Sequence, residues 1–98
     1  MKLNKKQIIK KIEDNKHKIK KFKVKKIGLF GSYLKNKQTK KSDIDFLVEF
    51  DKITADNFFE LLYYLERLFK NIKIDLIIES GLKPEVEYVK KEAEYVNI

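Results

Sequence analysis

The sequence predicts an α/β (α+β) domain, a small mixed β-sheet with helices packed on one face. Two periodicities predict it. Segments 43–50 and 72–78 alternate their side chains with the period of two expected of strands, and 24–30 is rich in β-formers. Segments 4–22, 55–70 and 84–96 instead repeat apolar residues at helical spacing. A chain of 98 residues can bury one modest core and has no room for a second, so 1–98 is expected to be a single domain.

Asn4 is a candidate N-cap for the first helix, and Gln7 three residues later completes a capping-box pattern. Ile8, Ile12, Ile19 and Phe22 share one face of 4–22, and lysines fill most of the rest. His17 falls on the polar side with no second histidine to form a metal pair, so it reads as a surface residue. Gly31 ends the first strand, and the polar stretch 32–42 suits a helical turn followed by an exposed loop.

In 43–50, Ile44, Phe46, Val48 and Phe50 point one way while Asp43, Asp45, Leu47 and Glu49 point the other. Thr54 or Asp56 caps the helix over 55–70, whose Phe58, Leu61, Leu62, Leu65 and Leu68 or Phe69 make a broad apolar face. In 72–78, Ile72, Ile74, Leu76 and Ile78 oppose Lys73, Asp75 and Ile77. Ser80-Gly81 breaks that strand. Pro84 suits the first position of a last helix over 84–96, with Val86, Val89, Ala93 and Val96 as candidates for burial. The expected order is α-β-(turn)-β-α-β-α, with Asp43, Asp45 and Asp75 on the face away from the helices.

Composition narrows the function. The absence of cysteine excludes disulfides and thiolate metal sites. No apolar run approaches the roughly 20 residues of a membrane span, and the basic N-terminus lacks the apolar stretch of a signal peptide. A cytoplasmic protein with no membrane association is therefore expected. The net charge of +8 invites a nucleic-acid reading, but Arg67 is the sole arginine. Lysine attracts phosphate as a point charge without the bidentate guanidinium fork, so the charge fits compositional bias and direct nucleic-acid binding is not expected.

The chemistry lies in Gly31-Ser32 followed by Asp43-Ile44-Asp45. A Gly-Ser turn presents backbone N–H groups and a hydroxyl to phosphate oxygens. Carboxylates two apart on a strand lie on one face about 7 Å apart, close enough to converge on metal. Such hard oxygen ligands suit Mg²⁺ or Mn²⁺. Each part alone has a plainer reading: a strand-ending glycine, a helix-capping serine, a pair of exposed strand aspartates. Asp75, at matching parity on a neighbouring strand, adds a third carboxylate, and three crowded carboxylates call for a cation. Lys35, Lys37, Lys40 and Lys41 in the intervening loop are candidates to assist, although solvated loop charge explains them as well.

The stretches Leu29-Phe30-Gly31-Ser32-Tyr33 and Ser42-Asp43-Ile44-Asp45-Phe46-Leu47-Val48 closely resemble the signature of the minimal nucleotidyltransferase family of the DNA polymerase β-like superfamily. Ile74-Asp75-Leu76-Ile77 is similar to that family's third-carboxylate strand. Lys35-Asn36 stands where relatives often carry Arg-Gly, keeping a charge but not the guanidinium geometry. The resemblance implies a polymerase β-like fold and transfer of a nucleotide from ATP with two Mg²⁺ ions, Mn²⁺ being an alternative. It also implies roles. Gly31, Ser32 and Lys35 would contact the nucleotide, Asp43 and Asp45 would hold both metals, and Asp75 would hold the catalytic metal and help deprotonate the acceptor.

Larger relatives carry further helical domains that bind base and acceptor, for which this chain has no room. Family members of this size are typically antitoxins paired with a HEPN-domain ribonuclease toxin, and some transfer AMP to a toxin tyrosine. The resemblance thus implies a protein adenylyltransferase antitoxin in a hetero-complex. Two other readings stay open. One is a non-catalytic toxin-binding antitoxin, with Tyr63, Tyr64, Tyr88 and Tyr95 as interface candidates. The other is transfer to RNA or to a small molecule such as an aminoglycoside.

Overall fold

The computed structural model describes residues 3–98. Its elements are α1 (Lys5–Asp14), α2 (Lys16–Lys20), β1 (Val24–Phe30), β2 (Ile44–Phe50), α3 (Ala55–Leu68), β3 (Ile74–Ile78), two 3₁₀ turns (Glu79–Gly81 and Pro84–Val86), α4 (Val89–Glu92) and β4 (Glu94–Asn97). The four strands form one mixed sheet in the order β3-β2-β1-β4. β1 is antiparallel to β2 and to β4, while β2 and β3 are parallel, joined through α3.

Alternation on the strands and helical spacing on α1–α3 meet in one core. Ile8 and Ile12 of α1, Ile19 of α2, and Leu61 and Leu65 of α3 are buried against Ile27, Leu29, Ile44, Phe46 and Val48 of the sheet. Phe46 and Phe69 pack at 5.8 Å between ring centroids. No polar or charged residue is buried among the described residues, so the core owes its stability to apolar burial. The Asn4 capping box forms with both hydrogen bonds at 2.9 Å. Of the two candidate caps for α3, Thr54 is the one used: its hydroxyl accepts from the Asn57 N–H, and Asp56 sits in the first turn. His17 is exposed, as expected. No helix among the described residues is long and apolar enough to cross a membrane.

Three expectations are corrected. The helix over 4–22 is two helices broken at Asn15, whose Nδ2 donates to the Lys11 carbonyl at 2.7 Å. The Tyr64 hydroxyl donates to Asn15 Oδ1, also at 2.7 Å, so the break is held by a tertiary contact. Ile72 precedes β3 rather than belonging to it.

The helix over 84–96 does not form. Only a 3₁₀ turn at Pro84–Val86 and the four-residue α4 are helical, and Glu94–Asn97 becomes β4. Ile27 pairs with Val96, which satisfies the backbone of an otherwise open β1 edge and buries Val96 to 3% exposure. Val86, a candidate for burial, is exposed, whereas Val89 and Ala93 are half-buried.

Candidate active site

Three elements converge at one end of the sheet: the end of β1, the start of β2 and the start of β3. Gly31, with φ 77, turns the chain out of β1. A side chain there would be strained by that backbone and would overlap the Asp45 carboxylate, so glycine is required twice over. The turn behind it is closed by Lys35 N–H donating to the Gly31 carbonyl at 3.2 Å and Lys37 N–H to the Ser32 carbonyl at 2.9 Å. Tyr33, 6% exposed, anchors the turn in the core and leaves Ser32 half-buried at the surface. The expected helical turn is thus a hydrogen-bonded turn rather than a helix.

The loop returns through Thr39 and Ser42. The Thr39 N–H donates to Ser42 Oγ at 2.8 Å and the Ser42 N–H to the Thr39 carbonyl at 3.1 Å. Asp43 follows directly, half-buried before β2. Asp45 pairs with Phe30 on β1 and with Asp75 on β3. Adjacent strands lie about 4.8 Å apart, so Asp45 and Asp75 are side-by-side neighbours. Burial, then the charges of Asp75 and Asp43, push the Asp45 carboxyl up from 3.8 to about 6, with a hydrogen bond to Asp75 favouring the protonated form.

Asp43 and Asp75 are therefore both within electrostatic reach of Asp45, which lies against the Gly31 turn. Among the described residues no group of three or more histidine, cysteine or carboxylate side chains is placed so as to hold a metal ion by itself. Asp45 and Asp75 still offer the hard oxygen donors that suit a divalent cation, their like charges lie close together, and Asp75 is exposed. Lys35 is exposed, with Nζ 3.6 Å from Glu92 Oε2.

The face carrying the aspartates is not open, contrary to the simplest reading of strand parity. The 79–93 segment crosses it from the β3 edge to the β4 edge, and Leu47 is fully buried there. Gly28 makes the close packing possible, because a Cβ there would lie 2.8 Å from Tyr95 Cδ1 and 3.2 Å from Ala93 Cβ. The Tyr95 hydroxyl donates to Glu79 Oε2 at 3.0 Å. Lys26 Nζ sits 4.2 Å above the Tyr95 ring and 3.9 Å from Glu79 Oε2. Burial and the neighbouring Glu79 and Glu49 push the Tyr95 phenol well above its ordinary value, so it stays protonated. Gly28 inside a strand was the one sequence signal for this packing. Of the four candidate interface tyrosines, Tyr63 and Tyr88 are exposed, and Tyr64 and Tyr95 are half-buried and hydrogen-bonded.

A glycine turn against clustered aspartates on a small mixed sheet defines an enzyme that transfers nucleotides. The sequence profile of the nucleotidyltransferase domain matches residues 5–96. This chain belongs to that family. It is 53% identical over 76 residues to a Methanocaldococcus jannaschii protein provisionally named a protein adenylyltransferase, covering 76% of this chain and 74% of the relative. It is 40% identical over 77 residues to the protein adenylyltransferase MntA of Thermococcus cleftensis, covering 76% of this chain and 77% of that protein.

Among solved structures, a minimal nucleotidyltransferase superposes with a TM-score of 0.78 over 94% of this chain and 95% of its own, at 24% identity, which speaks to fold alone. A toxin–antitoxin structure with AMP-PNP superposes with a TM-score of 0.56 at 30% identity, covering 83% of this chain and 61% of that one.

Proposed function

We propose that this enzyme is a protein adenylyltransferase antitoxin that moves AMP from ATP to a tyrosine hydroxyl of a cognate HEPN ribonuclease toxin. The observation that carries the reading is Asp45 in register with Asp75, directly against the Gly31 turn. Support for the acceptor comes from the adenylyltransferase names of the relatives and from the toxin–antitoxin complexes among the similar structures.

Gly31 and Ser32 would receive the triphosphate, which approaches closely because position 31 has no side chain. Lys35 would turn from Glu92 to a phosphate oxygen. Asp43 and Asp45 would hold two divalent ions, with Asp75 completing the shell of one; Mg²⁺ fits this oxygen set and Mn²⁺ is an alternative. Bound there, the ions would neutralise phosphate charge and activate the attacking oxygen. The tyrosine oxygen forms a bond to the α-phosphorus as the bond to the β-phosphate oxygen breaks. The hydroxyl proton passes to Asp75, and pyrophosphate leaves.

Incubation with ATP, Mg²⁺ and the cognate toxin tests this. Intact mass should show an AMP adduct on a toxin tyrosine, absent with Asp43→Ala/Asp45→Ala. If that variant protects cells as well as the unaltered protein, the chain neutralises its toxin without catalysis. Label transferred only to RNA or to an aminoglycoside would replace the acceptor.

A further inference from the structure

A cleft of about 730 Å³ lies between α1, the loop before β2 and the end of α3, lined by none of the three aspartates. Four cations line it: Lys11, Lys40, Arg67 and Lys70; no acidic side chain does. Six other lysines, such as Lys10 and Lys90, are paired with carboxylates, but none of these four is, among the described residues. Among the described residues Lys11 Nζ reaches only the Leu68 carbonyl, at 3.5 Å, and stands 5.9 Å from the Phe69 ring centroid. Four like charges around one cleft repel each other, so an anionic occupant stabilises the group.

Two of the segments that line the cleft lead along the chain into the proposed site. Lys40 lies in the loop that ends at Asp43, and the 71–72 segment on the opposite wall leads into Asp75. A ligand held here would lie at the same end of the sheet as the transfer site.

We propose that this cleft docks an acidic segment of the protein that receives the nucleotide, an inference that rests on the reading of the chain as a protein adenylyltransferase. Charge complementarity selects an acid. The cleft also offers amides suited to a peptide. Gln38 Nε2 donates to the Leu3 carbonyl at 3.3 Å, and its Oε1 is buried without a partner among the described residues. A peptide N–H supplies the missing donor, which a phosphate oxygen does not. Single-stranded RNA is a poorer match, because the lining rings, Tyr33 and Phe69, are 6% and 1% exposed and present no face for a base to stack on.

Charge reversal at Arg67→Glu/Lys70→Glu tests the proposal, with Arg67→Gln/Lys70→Gln as a milder pair. Both residues are exposed, and thermal melts check that each variant stays folded. The expected result is a KM for the acceptor protein raised about tenfold or more by the glutamates and less by the glutamines, with KM for ATP within about twofold. An unchanged acceptor KM overturns the proposal, as does an equal rise in both constants, which would make the cleft part of the nucleotide site.

A second measurement is independent of transfer. A fluorescein-labelled oligoglutamate peptide should bind the unaltered protein, weaken with added salt and lose affinity about tenfold for the charge-reversed variant. Binding of an oligouridylate without the peptide overturns the acidic-segment reading. If no protein is adenylylated, the function proposed above fails, and the peptide assay still decides the cleft.

Discussion

The two faces of one strand divide this protein's work. On β2, Ile44, Phe46, Val48 and Phe50 point into a core with no buried polar group among the described residues. One residue out of phase, Asp43 and Asp45 crowd charge at the start of the strand, while Leu47 is buried further along beneath the 79–93 segment. The first face gains free energy from burial. The second loses some, because Asp45 is held beside two like charges in partial burial. The comparison teaches that stability and chemistry are separated by a single backbone step, so substitutions on β2 should separate them too.

Asp45→Asn gives the widest separation. Removing a carboxylate that would hold both ions should lower transfer at least ~10³-fold, equivalent to about 4 kcal/mol. Stability should move the other way. The folded Asp45 carboxyl is raised from 3.8 to about 6, so protonation favours folding. In metal-free protein that contribution is full below about pH 4 and is lost as pH rises through 6. The asparagine variant should melt higher than the unaltered protein at pH 7 and match it near pH 4, with Mg²⁺ narrowing the gap at pH 7. A lower melting temperature at pH 7 would break the comparison.

Phe46→Ala is the mirror experiment. Emptying the space against Phe69 should cost about 3–5 kcal/mol in denaturant unfolding, and ATP affinity of the folded fraction should stay unchanged. Gly31→Ala sits where the faces meet. Its methyl meets the Asp45 carboxylate, so kcat/KM should fall about 10²-fold through displacement of the site, with a stability loss of about 1–2 kcal/mol from the positive φ. Tyr95→Phe is the smallest change. It removes the hydroxyl that donates to Glu79 and should cost about 1 kcal/mol in unfolding while leaving transfer nearly intact. A large loss of activity would make the packing of Tyr95 and the 79–93 segment part of the site.

Much of this was legible beforehand because it is local. Strand parity placed Asp43, Asp45 and Asp75 on one face, Asn4 announced its cap, and Thr54 was one of two candidate caps, each with a side chain within hydrogen-bond reach of nearby N–H groups. The C-terminal segment was misread for the opposite reason. Val86, Val89, Ala93 and Val96 fit a helix in isolation, and nothing local reveals that β1 has an edge to fill. The break at Asn15 was hidden likewise, since its partner Tyr64 is 49 positions away.

Residue spacing alone settled which side chains alternate, where glycine must turn the chain and which carboxylates share a face, since backbone geometry within a few residues decides those. Only the folded chain decided that Asp45 faces Asp75 in register, that Gly31 clears Asp45, and that Tyr95 crosses Gly28 to reach Glu79. It alone gathered Lys11, Lys40, Arg67 and Lys70 around one cleft. Those contacts join residues far apart in the chain, and their energies exist only once the sheet brings them within a few ångströms.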